Sequence, residues 1–314
     1  MKKVLVTGGA GFLGSNFVVR SLAERSDIQV TVLDSLTYAG NLENLKEVAS
    51  DIRFIKGDIR DPDNADAATS GQDLVVHFAA ESHNDNSLKN PGLFVETNVV
   101  GTANLIQAAV KHDVHFHHIS TDEVFGDFSL DSTEKFTEES PYKPSSPYSA
   151  SKAGSDLLVR AWVRSFGLRA TITNCSNNYG PKQNWEKFIP NSIKHAVQGK
   201  KIPVYGTGLN VRDWIHVDDH TSGIWAAVEN GELGETYLLG ANNEQNNITV
   251  ARKILKELNK DEYLVEFVED RSGHDLRYAI DASKANTLLG WKPTKTSFDS
   301  NISELVAYYS PLVR

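Results

Sequence analysis

The chain has 314 residues, a formal net charge of −9, one cysteine and the composition of an average globular protein. That length predicts one large or two ordinary domains, long enough to bury a real core. The acidic balance argues against nucleic acid as the main partner, the lone Cys175 rules out an internal disulfide framework and fits a reducing cytoplasm, and no stretch approaches the roughly 18 apolar residues of a membrane span.

The chain opens MKKVLVTGGAG, which resembles a secretory leader only superficially, because its apolar run stops after about four residues where such a leader needs roughly seven to fifteen. VLVT (4–7) reads as a short β-branched strand. GGAGFLGSN follows it, then FVVRSLAER with helical spacing, then a second strand at QVTVLD (29–34), which together make a βαβ unit. Further strands are predicted at 52–58, 74–80 and 116–120, with a long helix over 91–113 between the last two. A helix starting near Tyr148 and a strand over 169–177 continue the alternation. Near-continuous apolar strands alternating with helices predict a doubly wound parallel sheet covered on both faces, an α/β fold of Rossmann type.

Beyond about residue 178 the texture becomes loop-rich, with NNYGPKQNW and PVYGTGLN carrying turn residues. The stretch 213–230 reads as a strand and helix that return to the first sheet, and 241–314 as two helical patterns with a polar loop at 269–278. The expected layout is a nucleotide domain, 1–177 with a return segment 211–240, interleaved with a smaller lobe, 178–210 and 241–314.

Glycines at Gly8, Gly11 and Gly14 sit between the first strand and first helix. Glycine there permits a tight turn and close approach of backbone to a pyrophosphate, while the helix start offers free N–H groups and a positive dipole end. Asp34 lies 20 residues after Gly14, at the end of the second strand. A carboxylate at that place accepts from a ribose diol and repels a 2′-phosphate, so NAD is expected over NADP. Asp58, at the end of the third strand, is placed to reach the adenine side or simply to cap the strand.

SPYSASK puts Tyr148 and Lys152 four residues apart at a helix start, so one turn aligns them on one face. An ammonium near a phenol stabilises the phenolate, and the pair can take a proton from a hydroxyl while hydride leaves the same carbon for nicotinamide. HHISTDEVFG then places Thr121, Asp122 and Glu123 in succession where a strand runs out. Two carboxyls whose environments push their pKa values apart suit an acid beside a base, although a solvated turn capped by Asp gives the same spacing. His112, His115, His117 and His118 look like a metal cluster, but 115 and 117 face opposite to 118 in a strand and nothing completes a site, so no metal is expected. Cys175 is expected to be a buried apolar thiol and not a nucleophile.

TGGAGFLG, Asp34, the Ser/Thr-rich strand end and YSASK together resemble the extended short-chain dehydrogenase/reductase family. LTYAGNLENL, HFAAESHNDNS, HHISTDEVFGD, PYSASKAGSDLLVRAW, NCSNNYGP, PVYGTG, RDWIHVDDH and GHDLRYAIDASK resemble its nucleotide-sugar dehydratase branch, over almost the whole chain. The resemblance implies a lyase that holds NAD, oxidises C4 of dTDP-glucose, eliminates water across C5 and C6 and returns the hydride to C6. It implies that Glu123 removes the C5 proton, Asp122 protonates the departing C6 hydroxyl, and Thr121, Tyr148 and Lys152 serve the oxidation. The cofactor set it implies is Gly8, Gly11, Phe12, Leu13, Gly14, Asp34, Ser35, Leu36, Thr37, Asp58, Ile59, Phe78, Ala79, Ala80, Ser82, Thr97, Tyr148, Lys152 and Asn178. The substrate set adds Asn177, Lys187, Phe188, Pro203, Tyr205, Arg212, Asn247, Arg271 and His274 to Ser82, Thr121, Asp122, Glu123 and Tyr148. A homodimer formed through a four-helix contact of 91–113 and 148–166 is implied as well. Alternatives are a dehydratase or 4-epimerase acting on UDP- or another nucleotide sugar, and a non-catalytic NAD-binding regulator. Two positions depart from the family pattern: Asn86 where arginine is common, and Phe125 where tyrosine is common.

Overall fold

The computed structural model describes residues 1–313. The twelve strands are β1 Lys2–Thr7, β2 Ile28–Asp34, β3 Ile52–Lys56, β4 Leu74–His77, β5 His115–Thr121, β6 Ala170–Cys175, β7 Asn177–Tyr179, β8 Ile202–Tyr205, β9 Val211–His216, β10 Thr236–Leu239, β11 Glu244–Asn246 and β12 Val265–Val268. The α-helices are α1 Phe12–Glu24, α2 Pro62–Thr69, α3 Asn84–Lys89, α4 Pro91–Phe94, α5 Thr102–Lys111, α6 Pro147–Phe166, α7 Phe188–Val197, α8 Val217–Asn230, α9 Asn247–Glu257, α10 Ser283–Leu288 and α11 Phe298–Tyr309.

Seven strands form a parallel sheet in the order β10-β6-β5-β4-β1-β2-β3. The alternation within each strand explains the two layers. Val4 and Val6 of β1 face a core shared with Phe17 and Val18 of α1 and Ile224 and Trp225 of α8. Leu5, between them, faces the opposite core with Leu105 and Ile106 of α5 and Val159 of α6. The expected doubly wound α/β fold is therefore present. Its chain order reverses between β1 and β4, and the crevice at the carboxyl ends of such strands is where open sheets of this kind hold ligands.

The strand expected at 213–216 is β9, and it does not return to the first sheet. It lies in a three-stranded sheet between β11 and β7, and β10 is the strand that pairs with β6. From that stretch α8 packs on the large sheet, and Ile215 of β9 packs beside Cys175 of β6 and Leu239 of β10. The helix expected over 91–113 is also interrupted, by a π-helical segment at Val95–Gly101. There Asn98 is buried and pulled three ways: it accepts from the Glu81 N–H and donates to the Glu81 carbonyl and to Ser151 Oγ. π-Turns inside helices commonly mark such places. A third core joins α7, α9 and α11 through Ile189, Ile193, Val250, Ile254, Ile302 and Leu305, beside the two-stranded β8–β12 sheet. Among the described residues, no helix is long and apolar enough to cross a membrane.

Candidate active site

The carboxyl ends of β1, β4, β5 and β6 open on one cavity of about 740 Å³. At its floor, the β1–α1 turn has no room for side chains. Gly8 has φ +69°, and a Cβ there would stand 2.6 Å from the Ala79 nitrogen; a Cβ on Gly14 would stand 2.3 Å from the Gly8 carbonyl oxygen. α1 begins at Gly11 with no side-chain cap and no acid in its first turn, so its free N–H groups face the cavity without a competing anion. Asp34 closes the far side: it is buried, and its carboxylate accepts from the Ala10 and Leu36 N–H groups at 2.9 and 2.8 Å. Burial raises its pKa against those two bonds. The cradle, helix start and acid fit a dinucleotide.

Gly8, Gly11, Phe12, Leu13, Gly14, Asp34, Ser35, Thr37, Asp58, Ile59, Phe78, Ala79, Ala80, Ser82, Thr97 and Asn178 all line this cavity, as do Thr121, Asp122, Glu123, Tyr148, Lys152, Asn177 and Lys187. Leu36 stands behind Asp34 with φ 55°. Asp58 lies two residues beyond the end of β3, clamped by Arg60 at 2.6 Å, which lowers its pKa.

Ser146 caps α6 in a reciprocal capping box with Ser149, and Pro147 takes the first helical position. This fixes the helix start that carries Tyr148 and Lys152. Lys152 is buried and donates to the Ile119 carbonyl at 2.8 Å. Burial and then the Glu123 charge push the Tyr148 phenol well up, while a hydrogen bond with Thr121 pulls the other way.

The strand end of β5 separates its two carboxyls sharply. Asp122 is 1 % exposed; burial, then Glu123 and Asp213, raise its pKa far above the carboxylate range, and its Oδ2 has no partner. Burial and the two neighbouring carboxylates thus favour its protonated form, the form that could give up a proton. Glu123 is half-buried, and its Oε2 accepts from Asn84 Nδ2 at 2.9 Å. Asn84 also accepts from Ser146 Oγ at 2.8 Å, so one amide ties the base candidate to the cap of α6. The sequence reading assigned Asn84 no role; its only signal was membership of HFAAESHNDNS. Cys175 is buried, with burial pushing its thiol up to about 12. His117 lies between Thr171 and Thr173, and His118 against Ser155.

The remaining predicted residues stand outside this cavity. Arg212 on β9 is buried, donating to the Val211 and Asp275 carbonyls with its guanidinium 4.2 Å from the Tyr278 ring centre. Arg271 pairs with Asp85 at 3.4 Å, and Tyr205 donates to the same carboxylate at 3.1 Å. His274 meets Asp270 at 2.6 Å and the edge of Tyr205. Pro203 lies on β8, Asn247 starts α9 and Phe188 starts α7. Asn86 lines the cavity and bonds Tyr38, whereas Phe125 is buried against Phe136 and Tyr142, an apolar niche with no call for a hydroxyl.

The family model described as GDP-mannose 4,6 dehydratase matches residues 5–305. A dTDP-glucose 4,6-dehydratase of Mycolicibacterium smegmatis is 53 % identical over 98 % of this chain and 93 % of its own. Among solved structures, the dTDP-glucose 4,6-dehydratase DesIV of Streptomyces venezuelae, with NAD bound, superposes with a TM-score of 0.95 at 46 % identity, covering 98 % of this chain and 97 % of that one. The UDP-glucose 4-epimerase of Thermus thermophilus, also with NAD, gives 0.89 at 28 % identity, with 98 % of each chain covered. With the tyrosine–lysine helix, the glycine cradle and the split carboxyl pair in one cavity, this chain belongs to the family of GDP-mannose and dTDP-glucose 4,6-dehydratases.

Proposed function

We propose that the protein converts dTDP-glucose to dTDP-4-keto-6-deoxyglucose and water, as a hydro-lyase holding NAD. The observation that carries this reading is the Asp122–Glu123 pair, one carboxyl buried with its pKa pushed up and its neighbour half-buried and held by Asn84, opening on the cavity that Tyr148 lines. An epimerase has no elimination to perform and no need of that pair. A pure NAD binder needs neither pair nor tyrosine.

NAD bound here would supply reversible hydride storage; the glycine cradle and the start of α1 would hold its pyrophosphate, and Asp34 its ribose diol. Tyr148 Oη takes the C4 hydroxyl proton, with Lys152 beneath it and Thr121 bonded to its phenol. The C4 ketone acidifies the C5 proton; Glu123 removes it and gives a proton back to C5 as hydride returns to C6. Asp122 gives its proton to the C6 hydroxyl, which leaves as water. Asn84 holds Glu123 towards the cavity, and Asn177, Lys187 and Ser82 line the hexose side. Arg212, Arg271, His274 and Asn247 receive the diphosphate and nucleoside, with Pro203 and Tyr205 against the base and Phe188 behind them. We assign 1–177 with the return segment 211–240 to the cofactor half, whose β9 also lends Arg212 to the substrate, and 178–210 with 241–314 to the sugar-nucleotide half.

Val95, Val100 and Leu157 are about half exposed on adjoining helices, which supports a homodimer through these faces. The single buried cysteine agrees with a cytoplasmic location. Incubation with dTDP-glucose should yield the alkali-induced absorbance of a 4-keto sugar. UDP-glucose should react more slowly, since one thymine methyl is worth roughly 1–3 kcal/mol in a fitted pocket. No keto sugar from either would overturn the reading.

A further inference from the structure

Lys152 is buried beneath the cavity, and among the described residues its one hydrogen bond is to a neutral carbonyl, that of Ile119. A buried ammonium needs a counter-charge. One turn further along the same face of α6 lies Asp156, itself 0 % exposed. Its Oδ2 accepts from Ser120 Oγ at 2.8 Å, Tyr142 Oη at 2.9 Å and Asn174 Nδ2 at 3.0 Å. His118 Nε2 stands 3.2 Å from its other oxygen. Three neutral donors on one oxygen favour a carboxylate over a carboxylic acid. Among the described residues, no lysine or arginine lies within ion-pair distance of it, so its charge acts on Lys152 through space, one helical turn away.

We propose that Asp156 is a positioning residue for the tyrosine–lysine pair: its carboxylate is the buried counter-charge that keeps Lys152 an ammonium, and its hydrogen bonds anchor the end of β5. The inference rests on the reading of Tyr148 and Lys152 as the acid–base pair. The anchoring runs through Asn174, which also donates to the Thr121 carbonyl at 3.0 Å and so ties Asp156 to the strand end that carries Thr121, Asp122 and Glu123.

The surrounding charges leave Asp156 this task. His118 from β5 is pushed down to about 4 by burial and by Lys152, against its contact with Asp156. His77 from β4 is pushed further down by burial, His118 and Lys152. Cys175 from β6 is a neutral thiol. Asp122 and Glu123 act on Tyr148, and Arg160 lies over the Tyr142 ring at 5.4 Å. Burial lowers the Lys152 pKa, with Asp156 first among the groups that raise it. Burial works against the Asp156 carboxylate too, and His118, Lys152 and Ser120 outweigh it.

The test is the pH profile of kcat for Asp156→Asn. The amide keeps the shape and much of the hydrogen bonding but removes the charge, so the alkaline limb should move down by about one pH unit or more while activity at the acid end is largely kept. Tyr142→Phe, which removes a hydrogen bond but no charge, should leave that limb in place. A uniform fall at every pH with the limb unmoved would overturn the proposal. A thermal-melting cycle needs no turnover and so stands even if the assigned reaction is wrong. Lys152→Met/Asp156→Asn should melt above both single variants, because each single strands a buried charge. Additive losses would equally overturn the proposal.

Discussion

The two halves of the site are built differently. On the cofactor side, a parallel sheet sets the ends of four strands around a cavity whose shape is already complete, and the residues that line it come from short strand–turn–helix units. On the sugar-nucleotide side, Tyr205, Arg212, Arg271 and His274 come from separate loops and small sheets, and each already holds a protein partner. Asp85 in particular reaches Arg271 across 186 residues of chain. On the proposed assignment a substrate pyrophosphate competes with that carboxylate, whereas a dinucleotide would meet an open cradle. Changes in the first half should therefore break chemistry or cofactor retention, and changes in the second should mostly alter substrate affinity.

The largest effect should come from Tyr148→Phe, which removes the atom that takes the C4 proton; kcat should fall by about 10²–10⁴-fold, measured as keto-sugar formation. Glu123→Gln and Asp122→Asn should fall by a similar order, but after the oxidation, so absorbance of reduced nicotinamide should persist on the enzyme once substrate is added. Absence of that signal in both would break the division of labour.

Asp122→Asn has a second consequence. The folded protein raises the pKa of this carboxyl, so its contribution to stability is present below its unfolded value of about 4 and is lost as pH rises towards the folded one. The amide avoids that loss. Asp122→Asn should melt above wild type at pH 8 and lose this advantage towards pH 4, gaining stability as it loses activity.

Asp34→Ala should weaken NAD retention by about 10–100-fold, the worth of hydrogen bonds to a charged group, read as cofactor content after gel filtration. Arg271→Ala should raise KM with kcat nearly unchanged, since it touches the substrate far from the reacting carbons. A fall in kcat alone would blur the contrast between the halves. The smallest effect is expected for Phe125→Tyr, a ring in an apolar niche, with stability slightly reduced and kcat unchanged.

The same contrast governs what could be read from the chain before folding. Gly8, Gly14, Asp34, Tyr148 and Lys152 are proposed to act through local geometry, so spacing read within its strand–turn–helix context points to them, and the sheet follows from the alternation of strands and helices. β9 was misplaced because a strand's apolar pattern does not say which sheet it joins. The π-turn at 95–101 was invisible because Asn98 is drawn in by Glu81 and Ser151, which are distant in sequence. Asn84 and Asp156 escaped notice for that reason, since their partners Glu123 and Ser120 lie 39 and 36 residues away. The sugar-nucleotide residues were reached through family resemblance and not through spacing.

The central claim is that hydrogen from C4 stays within the protein while neighbouring acids expel the C6 hydroxyl. dTDP-glucose carrying deuterium at C4, turned over in ordinary water, tests it most directly. The product should carry that deuterium at C6, as read by NMR of the 4-keto-6-deoxy sugar. Its loss to solvent, or its retention at C4, would contradict the account.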